Sequence, residues 1–159
     1  MRAFVALGSN LADPRAQVLR AFDALACLPG TTLAARSRLY RSAPWGNTAQ
    51  PEFVNAVAEL DTALEPRELL DGLLAIERAM GRERNGERWG PRVLDLDLLL
   101  HEGRVLHEPG LTLPHPHLHQ RAFVLLPLND IAPDLDVPDR GRVRELLGRV
   151  DVGGCLAMD

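Results

Sequence analysis

No lysine occurs anywhere in the 159 residues; all 18 basic side chains are arginine. That absence excludes a P-loop lysine, a Schiff-base lysine and a protein-kinase strand lysine. Any phosphate site must therefore be built from arginine, backbone N–H groups, histidine or a metal. Cysteine is scarce: Cys27 and Cys155 lie far apart in no C-x-x-C pattern, so both read as free thiols in a reducing compartment, the cytoplasm. Long apolar runs are missing too. The opening residues 1–7 soon meet Gly8-Ser9-Asn10, too early for a signal peptide or a membrane span, and the reading is a soluble protein with no membrane partner. A basic surplus is absent: the net charge of -4 argues against a nucleic-acid partner, whose binders carry a basic face. Aromatic residues make up only 4% of the chain, so each one stands out.

What is present suits one domain over residues 1–159, long enough to bury a core without staples. Residues 3–7 form a short apolar run that reads as a buried strand. Asn10 is a candidate cap for a following helix, with Asp13 and Pro14 in its first turn. Val18, Leu19, Phe22 and Leu25 recur at helical spacing, and Pro29-Gly30 ends the element. Residues 31–41 read as one long strand, and residues 43–51, with two prolines and a glycine, as a loop. Residues 53–60 alternate, with Val54, Ala56, Ala58 and Leu60 on one face and Phe53, Asn55, Val57 and Glu59 on the other. Pro66 opens a second helix whose apolar face holds Leu69, Leu70, Leu73, Ile76 and Met80, and Gly81 stops it. Residues 93–100 read as another strand, 109–116 as irregular, 121–126 as a short helix stopped by Pro127, and 143–150 as a weak helix. The order β-α-β-β-α-β gives an α+β class: a ferredoxin-like core with an antiparallel sheet, helices on one face and added C-terminal elements.

The sharpest chemical pattern is Leu94-Asp95-Leu96-Asp97-Leu98-Leu99-Leu100. On a strand, Asp95 and Asp97 project together, and Leu94, Leu96, Leu98 and Leu100 point the other way. Two carboxylates roughly 7 Å apart on one face repel each other. A magnesium ion removes that objection, since it takes one or two carboxylates together with substrate phosphates. Just upstream, residues 81–92 carry Arg82, Arg84, Arg88 and Arg92 against Glu83 and Glu87. Arginine forks match phosphate oxygens, and such a segment running into a carboxylate pair fits metal-assisted phosphoryl transfer. Trp45 and Trp89 lie in glycine- and proline-containing loops, and Phe53 shares a strand face with Asn55. That combination suits a flat heterocycle, held between aromatic faces with an amide reading its edge. His115, His117 and His119 alternate, but prolines interrupt them and no cysteine is near, so His115 and Arg121 read as phosphate ligands rather than parts of a zinc site.

These residues resemble one family. The stretch from Arg88 through Trp89-Gly90-Pro91-Arg92 to Asp95, Asp97 and Leu99 resembles the signature of the 6-hydroxymethyl-7,8-dihydropterin pyrophosphokinases. Ala6-Leu7-Gly8-Ser9-Asn10-Leu11, Gln50-Pro51-Glu52-Phe53-Val54-Asn55, Leu113-Pro114-His115, Arg121-Ala122-Phe123 and Ile131-Ala132-Pro133 are similar to its other motifs, in the same order. The resemblance implies that Asp95 and Asp97 hold two magnesium ions bridging ATP and the pterin hydroxyl. It implies that Arg82 and Arg92 neutralise charge during transfer, assisted by Arg84. Glu77, Leu98, Thr112, His115 and Arg121 are then expected to line the ATP site. Ser42, Pro44, Trp45, Phe53, Asn55, Trp89 and Phe123 are expected to line the pterin site, with Asp95 touching the same substrate. Residues 43–51 and 81–92 would act as lids over a monomeric enzyme. The implied reaction is attack of the pterin hydroxymethyl oxygen on the β-phosphorus of ATP, with AMP leaving, and Asp97 is the only side chain that reads as a base. The chain departs from the family pattern at Asn85 and Gly110, where basic residues are frequent, and at Pro116, Leu74 and Trp45.

Two rivals use some of the same residues. A metal-dependent nucleotidyltransferase or nuclease needs a third acidic ligand and a basic groove, against which the acidic net charge counts. A ferredoxin-like RNA-binding module needs exposed aromatics on central strands, where Phe53 stands alone.

Overall fold

The computed structural model describes residues 1–11, 13–42, 52–81 and 94–158. The chain begins with β1 (Arg2–Ser9) and α1 (Pro14–Ala26), followed by β2 (Thr31–Arg36), β3 (Tyr40–Ser42) and β4 (Phe53–Thr62). Then come α2 (Pro66–Ala79), β5 (Asp95–His101) and the short pair β6 (Leu106–Glu108) and β7 (Leu111–Leu113). The last part holds a 3-10 turn at Leu118–Gln120, α3 (Ala122–Ile131), β8 (Asp136–Val137), β9 (Gly141–Arg142), α4 (Val143–Leu147) and β10 (Cys155–Ala157). The main sheet has the order β10-β3-β4-β1-β5, with β2 also paired to β4, and every pairing in it is antiparallel. Among the described residues no helix is long and apolar enough to cross a membrane.

Both long helices start on local chemistry. Asp13 accepts a hydrogen bond from the Ala16 backbone N–H at 3.3 Å, with Pro14 in the first position. The cap is therefore Asp13 rather than the expected Asn10, which is buried at the end of β1 and three residues too early for a helix that Pro14 opens. In α2, Pro66 opens the helix and the Glu65 N–H donates to the Glu68 side chain at 3.0 Å, one half of a capping box. Gly81 follows α2 with φ 97°, a left-handed conformation that glycine adopts without strain.

The sheet carries a core on each face. On one side Val5, Leu7, Val54, Ala56, Ala58 and Leu60 meet Val18, Phe22 and Leu25 of α1 and Leu69, Leu73 and Ile76 of α2. Burying each such leucine fully contributes about 1.5–3 kcal/mol. On the other side Phe4, Val57, Leu99 and Leu100 meet Leu118 and the apolar faces of α3 and α4. The alternation expected for β4 holds through this division. Helices cover both faces, because the C-terminal elements form a layer of their own opposite α1 and α2.

Several expected boundaries change for physical reasons. Residues 31–41 are not one strand. Ser37 breaks the run by donating its N–H to the Val57 carbonyl and accepting the Val57 N–H on its hydroxyl, at 3.0 and 2.9 Å. A side chain thus replaces a ladder carbonyl, and β3 resumes with a shifted register. In β5 the pairing passes from Val5 opposite Leu98 to Phe4 opposite Leu100. Leu99 is the extra residue of a bulge, so Leu100 joins the second core instead of the Leu94, Leu96 and Leu98 face. Pro127 sits inside α3 rather than ending it. Its missing N–H removes one rung, but Val124, Leu125 and Leu128 are buried around it, and that packing carries the helix on. The stretch expected to be irregular contains β7, which pairs with β6 just upstream of it, and α4 ends at Leu147.

Tyr40 ties the sheet to α3. Its hydroxyl donates to Asp130 at 2.8 Å and accepts from Arg38 at 2.9 Å. Burial, and then the bond to the Asp130 carboxylate, push the Tyr40 phenol up to about 12, so it remains a donor at any ordinary pH.

Candidate active site

The bulge in β5 lets one strand do two jobs. At the bulge and beyond it the strand turns Leu99 and Leu100 into the second core. Before it, Asp95 and Asp97 point away from the α1–α2 core, half-buried between buried leucines. Their neighbours across the sheet are small: Asp97 lies opposite Ala6 and Asp95 opposite Gly8. The same row continues from Gly8 to Asn55 on β4 and on to Tyr40 on β3. A Cβ on Gly8 would come within 3.3 Å of the Asn55 side-chain oxygen, so glycine keeps this floor flat beside the amide. Asn55 is buried and donates through Nδ2 to Ser42 Oγ at 2.7 Å, which fixes which end of the amide faces Gly8.

Above this floor lies a cavity of about 850 Å³. Ser42, Phe53, Asn55, Asp95, Asp97, Arg121 and Phe123 line it, bringing together residues from β3, β4, β5 and the start of α3. A second cavity, about 260 Å³, is lined by Leu98, Thr112, His115 and Asp97, with Leu70, Leu96, Gly110, Leu111 and Pro116. Asp97 therefore belongs to the walls of both. Gly110 and Pro116, two of the departures from the family pattern, fall in the smaller cavity. Arg121, expected beside the nucleotide, lines the larger one.

Glu77 is buried on α2 and accepts the Leu96 N–H on Oε2 at 2.8 Å. It thus grips the strand at the residue between the two aspartates. Pro44, Trp45, Arg82, Arg84, Trp89 and Arg92 lie outside the described residues.

His115 has a defined tautomer. The His117 backbone N–H donates to its Nδ1 at 3.2 Å, so the neutral ring carries its proton on Nε2. Burial, then the positive field of Arg121 and His117, lowers its pKa to about 4, against an opposing pull from Asp95. The unfolded chain, with an ordinary histidine near 6.5, thus binds the proton more readily than the folded one. The contribution of His115 to stability is full above pH ~6.5 and is lost as pH falls toward 4. His115→Gln should accordingly lose less stability than the parent between pH 7 and 4.5, measured by urea midpoints. Parallel curves for the two proteins would contradict this.

Sequence reasoning missed part of the larger cavity. Gln120 and the tail residues Asp151, Gly154 and Cys155 also line it. The available signal was faint: a Gly153-Gly154 turn followed by three residues able to form an edge strand.

Comparison with known proteins identifies the relatives of this chain. The model of the 7,8-dihydro-6-hydroxymethylpterin-pyrophosphokinase (HPPK) family matches residues 4–133. A Pseudomonas aeruginosa protein named 2-amino-4-hydroxy-6-hydroxymethyldihydropteridine pyrophosphokinase is 56% identical over 92% of this chain and 90% of its own length. A protein of the same name from Methylorubrum extorquens is 47% identical over 96% of each chain. Among solved structures, wild-type Plasmodium falciparum HPPK-DHPS with pteroate superposes with a TM-score of 0.72 at 14% identity. That superposition covers 93% of this chain but 42% of the Plasmodium one, and it is a likeness of fold alone. The match across residues 4–133, together with relatives near half identity over almost the whole length, places this chain in the 7,8-dihydro-6-hydroxymethylpterin-pyrophosphokinase family.

Proposed function

We propose that the larger cavity seats the pterin, that the smaller one seats ATP, and that the pyrophosphoryl group crosses between them at Asp97. The chain transfers pyrophosphate from ATP to the hydroxymethyl group of 6-hydroxymethyl-7,8-dihydropterin in folate biosynthesis, the activity of its family. The observation that carries the assignment of seats is that Asp97 lines both cavities. A donor and an acceptor must meet at one place, and this carboxylate is common to both walls.

The residues divide the work by chemistry. Phe53 and Phe123 offer aromatic faces to the flat ring. Asn55, oriented by Ser42, reads a polar edge with the amide group that the Ser42 bond leaves facing Gly8. Leu98 and Thr112 line the nucleotide seat, where neutral His115 donates its Nε2–H to a phosphate or ribose oxygen. Arg121 places a positive charge where the triphosphate approaches the larger cavity. Arg82, Arg84 and Arg92, in the stretch between α2 and β5, are assigned to phosphate neutralisation on the strength of their fork geometry.

Asp95 and Asp97 suit two magnesium ions. Both are oxygen donors on one face of β5, and a hard cation completes its shell with phosphate oxygens and water. Bound there, magnesium supplies charge neutralisation and a more acidic hydroxyl. Glu77 keeps the two carboxylates in place through the Leu96 N–H. In the reaction the hydroxymethyl oxygen forms a bond to the β-phosphorus, the bond from that phosphorus to the α–β bridging oxygen breaks, and AMP leaves with the electron pair. Asp97 is positioned to take the hydroxyl proton.

The strand order β3-β4-β1-β5, with α1 and α2 on one face, supports a ferredoxin-like core over which the C-terminal elements form a second layer. One chain supplies both cavities, which supports a single domain acting as a monomer. The free thiols Cys27 and Cys155 suit the cytoplasm. The direct test follows AMP release from Mg-ATP with and without hydroxymethyldihydropterin. Release should require the pterin, and pterin-independent hydrolysis would overturn the reading.

A further inference from the structure

Tyr40 and Ser42 share one face of β3, directly opposite Asn55 and Phe53 of β4. Ser42 uses that face to orient Asn55 at the floor of the larger cavity. Tyr40, two residues away and 3% exposed, uses it to reach α3. Its hydroxyl lies 2.8 Å from both oxygens of Asp130. Arg38 closes the group. Its backbone N–H and Nε donate to Asp130 Oδ2, both at 3.3 Å, and its Nη2 donates to Asp130 Oδ1 at 3.1 Å and to the Tyr40 hydroxyl at 2.9 Å. One carboxylate of the helix is thereby held by a strand of the sheet and by the residue leading into it.

The same helix supplies the wall above that floor. Phe123, in the first turn of α3, lines the larger cavity, and Asp130 follows on the same stripe of the helix, about two turns later. A helix pinned at Asp130 is therefore fixed in height and in rotation, and with it the face that Phe123 presents. Val124, Leu125 and Leu128 also pack α3 against the sheet, but apolar contact is non-directional and leaves the separation loosely set. A hydrogen bond sets it more closely, because it weakens outside a narrow range of distance and angle. The separation matters to a flat ring, which needs the faces on both its sides at about 3.5–4.0 Å. A gap of about 0.5–1 Å forfeits a quarter to a half of the attraction.

We propose that Arg38, Tyr40 and Asp130 form a clasp that sets the width of the pterin slot, the gap between Phe123 on α3 and the floor that Phe53 and Asn55 form on β4. None of the three lines either cavity. They are positioning residues that act through Phe123. The clasp serves the acceptor alone: among the described residues, the smaller cavity takes none from β3, β4 or α3, so its width is set elsewhere. This inference rests on the assignment of the larger cavity to the pterin.

Tyr40→Phe removes the hydroxyl and keeps the buried ring. In the full-length protein it should raise the KM for hydroxymethyldihydropterin roughly three- to tenfold, the share of stacking that a widened slot gives up. The KM for ATP, and kcat with both substrates saturating, should stay within about twofold, the pattern of a lost ground-state contact. Asp130→Ala should do the same, and the two changes together should add little, because either one opens the clasp. Asp130→Asn, which keeps an oxygen for the hydroxyl, should recover most of the loss. The decisive measurement is a cycle with Phe123→Ala, read by calorimetric titration of the pterin. In that background Tyr40→Phe should change affinity by less than about twofold, whereas in an Asn55→Ala background its effect should persist in full. An effect that survives the loss of Phe123, or that raises both KM values alike, would mark Tyr40 as a general support of the fold and overturn the clasp. A pterin KM unmoved by Tyr40→Phe and Asp130→Ala, while Phe123→Ala still weakens the pterin, would overturn it too and leave the pterin assignment standing. If Phe123→Ala leaves pterin binding intact, the assignment of the cavity itself fails.

Discussion

Asp95→Ala and Asp97→Ala should each lower turnover by ~10³-fold or more, since charge stabilisation by a carboxylate-held metal is worth several kcal/mol. Their position explains why the loss should be so large and so specific. Each carboxylate projects from a strand whose other face is fully committed to packing by Leu94, Leu96 and Leu98. Small neighbours at Ala6 and Gly8 leave the surrounding volume to ligand. Removing one carboxylate also relieves repulsion within the pair, so the urea midpoint should fall little or rise. Asp97→Ala should depress the rate with both substrates saturating, because its carboxylate belongs to both cavities. Rates within tenfold of the parent for both variants would refute the role given to the pair.

Phe123→Ala should weaken pterin binding by ~30- to 100-fold, the loss of one stacked aromatic face and its buried area. Asn55→Ala should weaken it by at least ~10-fold, the cost of an edge left without its polar partner. Neither substitution should change ATP affinity by more than about twofold, since neither residue lines the smaller cavity and additivity holds for separated sites. Separate calorimetric titrations with each ligand decide the matter. Phe123 also packs at the margin of the second core, so a general loosening of that core is the competing outcome. It would show itself as equal losses for both ligands.

Much of this site was legible because it depends on period-two alternation. Asp95 with Asp97, and Phe53 with Asn55, could be placed on shared faces without knowing what lay beside them, and the structure puts all four around one cavity. The mixture of helices and antiparallel strands was legible from the period of each element, although the run 31–41 divides into β2 and β3. What escaped depends on events outside any single element. The Leu99 bulge is set by where β1 needs Phe4 and Val5 to point, and nothing within 93–100 announces it. Ser37 breaks its strand through a bond to Val57, twenty residues away. Pro127 looked like a stop, yet the burial of Val124, Leu125 and Leu128 outweighs one missing rung. The tail was hardest to read, since β10 is three residues long and gains its meaning only from β3.

The second core also bears on the order in which the protein is made. Its sheet residues, Phe4, Val57, Leu99 and Leu100, come from the first two-thirds of the chain, while Leu118 through Leu146 come last. A nascent chain that has completed β5 therefore owns both aspartates and the α1–α2 side of its sheet, but its other face is still bare. Until α3 and α4 emerge, those four apolar side chains are open to water and to any chaperone that reads exposed hydrophobic surface. Phe123 arrives with the same segment, and Cys155 later still. The enclosure around the acceptor is thus among the last features to exist on the ribosome, and an unfinished chain should be a poor pterin binder well before it ceases to be a sheet.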